Sequence, residues 1–320
     1  MAISVVVPCF NEEESLPGLH ARLTAVCRTL GLAYEIVLVD DGSRDGTWAE
    51  ISARAETDPC LRGIRLARNH GHQLALTAGL AAARGGRVMM LDADLQDPPE
   101  LLPDMMALMD EGYDVVYGRR TRREGESAFK KATASLFYRL INRLSDVEIP
   151  VDVGDFRLVN RRVLDAFLAM PERTRFVRGM FAWLGHRQIG LDYVRQPREA
   201  GETKYPLAKM VRFAGDALTG FSIAPLRLAT LLAYVSLAVA AGLAFYVLSA
   251  HLAGQTLQGW TSILLAIAFF SGIQLLTLGI IGEYLGRLYV ESKERPLFLV
   301  AETIGGETPA RANTIERARA

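Results

Sequence analysis

The sequence predicts an α/β domain with a mostly parallel sheet, followed by a two-helix transmembrane hairpin, and three observations lead there. Short β-branched runs alternate with helix-patterned stretches from the first residues onward. Acidic pairs follow two of those runs directly, at Asp40-Asp41 and at Asp92-Ala-Asp94. Between Arg227 and Glu283 there is no Asp, Glu, Lys or Arg across 55 residues.

The runs Ile3 to Pro8, Glu35 to Asp40, Leu61 to Ala67, Arg87 to Leu91 and Asp114 to Tyr117 read as buried strands. Ser15 to Leu30, Thr47 to Thr57, Gln73 to Ala83 and Pro99 to Gly112 read as the helices between them. Alternation at this spacing implies right-handed βαβ units, with ligands at the carboxyl ends of the strands. Arg119 to Phe137 reads as a charged loop able to close over a ligand, with a helix from Ser127 onward. A strand around Phe156 to Val159, a helix from Arg161 to Ala169 and a strand from Gln188 to Val194 complete the soluble part, residues 1–205. In 206–226 apolar and basic residues interleave, as in a helix lying at a membrane surface or in an ordinary packed helix.

Leu228 to Ala250 and Ser262 to Gly282, within the region 227–290, are roughly 34 and 32 Å long as helices, enough for a hydrocarbon core of about 30 Å. Basic residues flank the pair on its outer ends (Lys204, Lys209, Arg212 and Arg227, then Arg287, Lys293 and Arg295), and the connector has none. The positive-inside rule then places the soluble domain and both termini in the cytoplasm of a multi-pass protein. The first apolar run is too short and too closely followed by acids for a signal peptide. The remaining stretch, 291–320, reads as a cytoplasmic tail, small, polar and disordered after Val300.

Composition excludes several classes. The chain holds 36 basic and 36 acidic residues, and outside the uncharged stretch about 27% of residues are charged, a soluble-domain value. Zero net charge without a basic stripe gives no electrostatic reason for a nucleic-acid partner. Cys9, Cys27 and Cys60 lack the number and spacing of a disulfide framework or zinc site and fit a reducing compartment. No GxGxxG or GxxxxGK[ST] occurs, so dinucleotide and P-loop sites lose their phosphate-binding warrant.

Asp92-Ala-Asp94-Leu-Gln96-Asp97 follows an apolar strand, so two carboxylates at its carboxyl end can approach a hard divalent cation that keeps phosphate ligands. An isolated Asp-x-Asp is more often a solvated turn than a cation site; the strand context favours the cation. Asp40-Asp41-Gly42-Ser43 places acids where one carboxylate can accept hydrogen bonds from a base or ribose, and Ser43 or Asp45 also suits helix capping. In Pro8-Cys9-Phe10-Asn11-Glu12 the first strand enters a loop suited to holding a base.

Together these segments resemble the family 2 glycosyltransferases of GT-A fold. Val5-Val-Val-Pro-Cys-Phe-Asn-Glu-Glu13, Val39-Asp-Asp-Gly-Ser-Arg-Asp-Gly-Thr47, Arg68-Asn-His-Gly71, Leu91-Asp-Ala-Asp-Leu-Gln-Asp-Pro-Pro99 and Gly154-Asp-Phe-Arg157 fall in the family's order. More narrowly, residues 2–300 resemble the polyprenyl-phosphate glycosyltransferases, especially the bactoprenol glucosyltransferases, which are related to the dolichol-phosphate mannosyltransferases. Gly201-Glu-Thr-Lys204-Tyr and Gly282-Glu-Tyr-Leu-Gly-Arg287 are similar to segments of that subgroup, with Thr203 replacing a serine.

The resemblance implies a nucleotide-sugar pocket from Pro8, Asn11, Glu12, Asp40 and Asp92. It implies a Mg2+ or Mn2+ site from Asp92, Asp94 and Gln96, and catalytic roles for Asp94 and Asp155. Asp155 has the alternative of a structural pairing with Arg157. Arg119, Lys130, Lys131, Ser135 and Lys204 become candidates for the acceptor phosphate, and His70 and His72 either line the donor pocket or are loop residues. The implied reaction is inverting, metal-dependent sugar transfer to polyprenyl (undecaprenyl) phosphate at the cytoplasmic face of a bacterial inner membrane. UDP-glucose leads among the donors, with GDP-mannose or a modified UDP-pentose open, and the resembling proteins suggest a homo-oligomer, a tetramer among the forms. A processive synthase would carry Gln-x-x-Arg-Trp and more membrane helices, and a non-catalytic nucleotide-sugar sensor is the alternative outside the enzymes.

Overall fold

A computed structural model describes residues 1–122, 153–195, 224–254 and 259–305. The predicted alternation opens the chain: β1 (Ile3–Cys9), α1 (Leu16–Thr29), β2 (Tyr34–Asp40), α2 (Thr47–Thr57), β3 (Leu61–Leu66), α3 (His72–Ala82) and β4 (Arg87–Met90). A 3-10 turn at Pro99–Leu101 leads into α4 (Leu102–Asp110) and β5 (Val115–Arg122). Then come β6 (Val153–Asn160), α5 (Arg161–Ala169), α6 (Val177–Trp183) and β7 (Gln188–Val194). Two long helices, α7 (Ala224–Leu252) and α8 (Trp260–Ser292), precede β8 (Val300–Ile304).

The strands form one sheet in the order β7-β5-β6-β4-β1-β2-β3-β8. Within it β3, β2, β1 and β4 are mutually parallel, as expected of βαβ units. The sheet is mostly parallel, as expected, but mixed: β6 lies antiparallel between β4 and β5, while β5 pairs in parallel with β7. The α4 crossover therefore skips one strand position, and β6 fills the gap.

Every residue of β1 and β2 is buried, because both sheet faces are covered. Val5, Val7, Ile36 and Leu38 join Leu16, Leu19 and Leu23 of α1 in the main core. The opposite face carries α3, whose Gly79 is so close that a Cβ there would meet Val6 Cγ1 at 2.3 Å and Val39 Cγ2 at 2.9 Å. Pro8 sits in a central strand without breaking the ladder, since β4 is in register with β1 only as far as Val6 and Met90.

Three expectations change. Arg119 to Arg122 belong to β5 rather than to a loop, and the rest of that segment, with its helix from Ser127, lies outside the described residues. The helix α6 has no counterpart in the sequence reading, being one short element after the turn at Met170–Arg175. The stretch after Val300 begins in a strand rather than in a disordered tail, because β8 pairs antiparallel with β3 and Ile304 lies in register with Gly63, and residues 306–320 lie outside the described residues. Main-chain pairing along the edge of β3 gives a short, half-polar segment its order.

The chain divides into two compact units, with α7 and α8 in one and the sheet, including the chain from Arg295 through β8, in the other. In the former, α7 and α8 pack on each other, and both are long and apolar enough to cross a membrane. Residues 206–223 of the expected surface helix lie outside the described residues. All three cysteines are free, Cys9 and Cys27 buried.

Candidate active site

The carboxyl end of β4, the amino-terminal half of β6 and the start of α3 bring three ligand-type side chains together. Met90 registers with Arg157 across the antiparallel β4–β6 pair, so two further residues along β4 and two back along β6 bring Asp92 to Asp155. Gly71, at φ 94°, turns the chain into α3 and delivers His72 at its first position. One ligand atom each from His72, Asp92 and Asp155 lie within 4.8 Å of one another.

Asp155 is 2% exposed and held on both oxygens. Arg178 Nε donates to Oδ1 at 2.9 Å, Gln73 Nε2 donates to Oδ2 at 3.0 Å, and His72 Nε2 lies 3.1 Å from Oδ2. Burial alone would raise the pKa of this carboxyl, but the Arg178 charge and the His72 hydrogen bond hold it well below the usual carboxylate range. The pairing with Arg157 does not form: Arg157 is buried, donates to the Gly154 carbonyl at 3.1 Å and stacks over Phe181 at 5.1 Å.

Asp92 is pushed up to about 6 by burial, with His72 opposing and the carboxylates of Asp155, Asp97 and Asp94 adding to the rise. Its Oδ1 is buried without a hydrogen bond, 3.4 Å from His72 Nε2. For His72, burial lowers the imidazolium pKa, but the hydrogen bond to Asp155 and the Asp92 charge outweigh it and raise it to about 9. An orphaned carboxylate oxygen, crowded acids and an imidazole form a donor set that suits a divalent metal ion.

Asp94 turns elsewhere. Its Oδ1 accepts the Gln96 backbone N–H at 3.2 Å, and its Oδ2 lies 3.5 Å from Arg195 Nη2. Among the described residues the cluster of His and acidic side chains able to hold a metal includes Asp92 but not Asp94. Arg195 Nε is also 3.9 Å from fully buried Asp97, which accepts from Tyr193 Oη and faces Arg120 Nη2 at 3.5 Å. This group ties the end of β7 to the Asp92–Asp97 loop.

The loops after β1 and β2 are laced together. Asn11, at φ 55°, gives its backbone N–H to Ser43 Oγ at 3.0 Å and accepts from the Arg44 N–H at 2.9 Å. Glu12 donates its N–H to Thr47 Oγ1 at 2.9 Å and accepts from Ser15 Oγ at 2.9 Å. Asp40 is fully buried: Oδ1 accepts the Ser43 N–H at 3.0 Å, and Oδ2 has no hydrogen bond. Its neighbour Asp41 accepts the N–H groups of His70 and Gly71 at 2.7 and 2.8 Å and thereby fixes the entry to α3.

Of the acceptor candidates, Arg119 donates to Asp192 at 3.0 Å on the exposed edge between β5 and β7. Lys130, Lys131, Ser135 and Lys204 lie outside the described residues. Sequence reasoning missed Gln73, Arg178, Arg195, Tyr193 and the structural use of Asp41. Gln73 follows His72 at the opening of α3, and Arg178 is the one cation in the apolar segment Phe176 to Trp183; those were the available signals.

Residues 4–168 match the model of the family described as glycosyl transferase family 2. An uncharacterised glycosyltransferase of Bacillus subtilis (strain 168), YkcC, is 44% identical over 305 residues, 95% of this chain and 94% of that protein. A bactoprenol glucosyl transferase of Shigella phage SfV is 38% identical over 304 residues, 94% of this chain and 98% of its own length. Among solved structures, the glucosyl-3-phosphoglycerate synthase of Mycobacterium tuberculosis in complex with Mn2+, UDP and phosphoglyceric acid is 21% identical with a TM-score of 0.46, covering 68% of this chain and 76% of that one. The mixed sheet with helices on both faces is GT-A-like, and the family match spans β1 through most of α5, including the acidic ends of β2 and β4. With that match over half the chain and relatives similar along nearly its whole length, the chain belongs to glycosyl transferase family 2.

Proposed function

We propose that this enzyme transfers glucose from UDP-glucose to a polyprenyl phosphate, undecaprenyl phosphate in a bacterial inner membrane, with inversion at the sugar. The observation that carries the reading is the likeness to a bactoprenol glucosyl transferase over 94% of the chain, a span covering both the Asp92 site and the apolar helix pair. A lipid acceptor also gives those helices a physical purpose, because they keep the enzyme at the interface where the lipid's phosphate lies.

In this mechanism Asp40, Asn11 and Glu12 hold the nucleoside, with Pro8 shaping the strand end beneath it. The diphosphate lies toward Asp92 and the amino end of α3, whose backbone N–H groups favour negative charge. A divalent cation, Mg2+ or Mn2+, held by Asp92 with Asp94 and Gln96 and with His72 as a further ligand candidate, would neutralise charge growing on the departing nucleoside diphosphate. Arg195 gives up Asp94 when the site fills. The acceptor phosphate monoester has a second pKa of about 6 and is already ionised at pH 7, so it needs no general base. Asp155, with both oxygens accepting hydrogen bonds, orients His72 and the sugar rather than removing a proton. Arg119, Lys130, Lys131, Ser135 and Lys204 receive the acceptor phosphate, Arg119 exchanging its Asp192 partner for it.

The test is transfer of radiolabelled sugar from UDP-glucose to undecaprenyl phosphate by the purified full-length protein. Transfer dependent on Mg2+ or Mn2+ and abolished by Asp94→Ala is expected. Transfer only from GDP-mannose or a UDP-pentose would overturn the donor assignment, and no transfer from any donor would favour a nucleotide-sugar-sensing scaffold.

A further inference from the structure

The loop that follows β4 carries two acids, Asp94 and Asp97, that share one arginine. Leu95, at φ 59°, turns the chain between them through the left-handed region, which is uncommon outside glycine. Asp94 Oδ2 lies 3.5 Å from Arg195 Nη2, and Asp97 Oδ1 lies 3.9 Å from Arg195 Nε. The guanidinium thus reaches both carboxylates and is nearer to Asp94.

Neither contact is complete. Arg195 Nε and Asp97 Oδ2 are both buried, and neither has a hydrogen-bond partner among the described residues. A buried donor and a buried acceptor left unmade on neighbouring groups are each costly, and pairing them would remove both costs. Asp97 is fixed in readiness for that pairing. It is 0% exposed, its Oδ1 accepts from the Tyr193 hydroxyl, and Arg120 Nη2 faces the same oxygen at 3.5 Å. Arg120 Nε also donates to Tyr193 Oη at 3.1 Å, so the hydroxyl is held in turn. Tyr193 stands two residues before Arg195, and one strand end therefore carries the arginine and fixes the acid. The Arg195 side chain is 30% exposed, which leaves it room to shift.

We infer that Arg195 is the resident counter-charge of Asp94 and that Asp97 is a positioning residue acting through it: a divalent cation arriving at Asp94 repels the guanidinium, and Asp97 Oδ2 is the seat into which it withdraws. Arg195 competes with the cation, and Asp97 relieves the competition. This rests on the reading of Asp94 as a cation ligand given above and adds to it the two residues that regulate access to that carboxylate. Neither is a catalytic residue.

The experiment titrates Mn2+ by calorimetry into the full-length protein in detergent, saturated with UDP, and circular-dichroism melts check that each variant folds. Arg195→Gln removes the competing charge, so Mn2+ should bind about two- to fivefold more tightly than to wild type, the range of one partly exposed ion pair. An arginine with a merely structural role would give the opposite sign, since its loss would loosen the loop and weaken binding. Asp97→Asn keeps the size of the side chain and removes the charge of the second seat. It should weaken Mn2+ binding by a similar factor where Arg195 is present, and by clearly less when added to Arg195→Gln. Should Asp97→Asn fail to fold, the sign of the Arg195→Gln change decides by itself. Unchanged or weaker binding by folded Arg195→Gln, or equal losses from Asp97→Asn in both backgrounds, would overturn the exchange while leaving the metal site standing. Failure of the wild-type protein to bind Mn2+, or wild-type affinity in Asp94→Ala, would overturn the cation reading of Asp94 and this inference with it.

Discussion

Replacing Arg178 by alanine removes the guanidinium that faces both oxygens of Asp155, at 2.9 and 3.3 Å. Stranding one member of a buried ion pair costs about 3–5 kcal/mol. Here the loss is smaller, because the Arg178 side chain is 30% exposed and water can follow it, while Gln73 and His72 still contact the carboxylate. A cost of about 1–3 kcal/mol is expected, which for a domain of this size lowers the melting temperature by roughly 3–10 °C. The catalytic effect has a distinct signature. Arg178 lowers the Asp155 pKa, so without it that pKa rises and the acid limb of the pH–rate profile moves to higher pH. The assay pairs thermal melts in detergent, compared at one scan rate, with sugar transfer measured across pH. The double variant Arg178→Ala, Asp155→Asn should recover part of the lost stability, since no buried charge is then stranded. A single variant that melts like the wild type and keeps its pH profile would refute the idea that Arg178 sets the state of Asp155.

Three further outcomes follow from the same geometry. Gly42→Ala should lower stability by about 1–3 kcal/mol and weaken UDP binding, because Gly42 has φ 68° and a Cβ there would lie 2.7 Å from the backbone of Arg68 and of Asn69; melts and calorimetry check both. Tyr193→Phe should cost about 1–3 kcal/mol, read by denaturation, since buried Asp97 loses the donated hydroxyl. Asp114 is pulled below its usual pKa: burial opposes the shift, while Arg162, Asn160 and the Arg187 N–H drive it. Its folded pKa is therefore depressed, so its contribution is complete above the unfolded value of about 3.9 and is lost as pH falls through the folded value. Melts below about pH 4 should show wild type losing stability more steeply than Asp114→Asn.

The placing of the acidic strand ends in the candidate site was legible in the sequence because it depends on local succession. An apolar strand that ends in acids puts those acids at the sheet's carboxyl edge wherever the strand stands in the order, and Asp40 and Asp92 are both there. Asp155 was legible as a residue but not in its company. Its partners come from α3 and α6, and only the insertion of β6 beside β4 brings them to it. Arg178 sits in a seven-residue helix too short to leave a periodic signal, and Arg195 reads as one more charge before a proline-containing segment.

The sequence by itself determined the two regimes of this chain, a charged α/β domain and 55 uncharged residues, because hydropathy and strand–helix alternation depend only on neighbours along the chain. It also determined which carboxylates stand at strand ends. Tertiary structure alone decided which charges meet: Asp155 with Arg178 rather than Arg157, and Asp94 with Arg195. Strand order and register are long-range choices, fixed by packing both sheet faces at once, and a cross-strand neighbour does not exist until they are made.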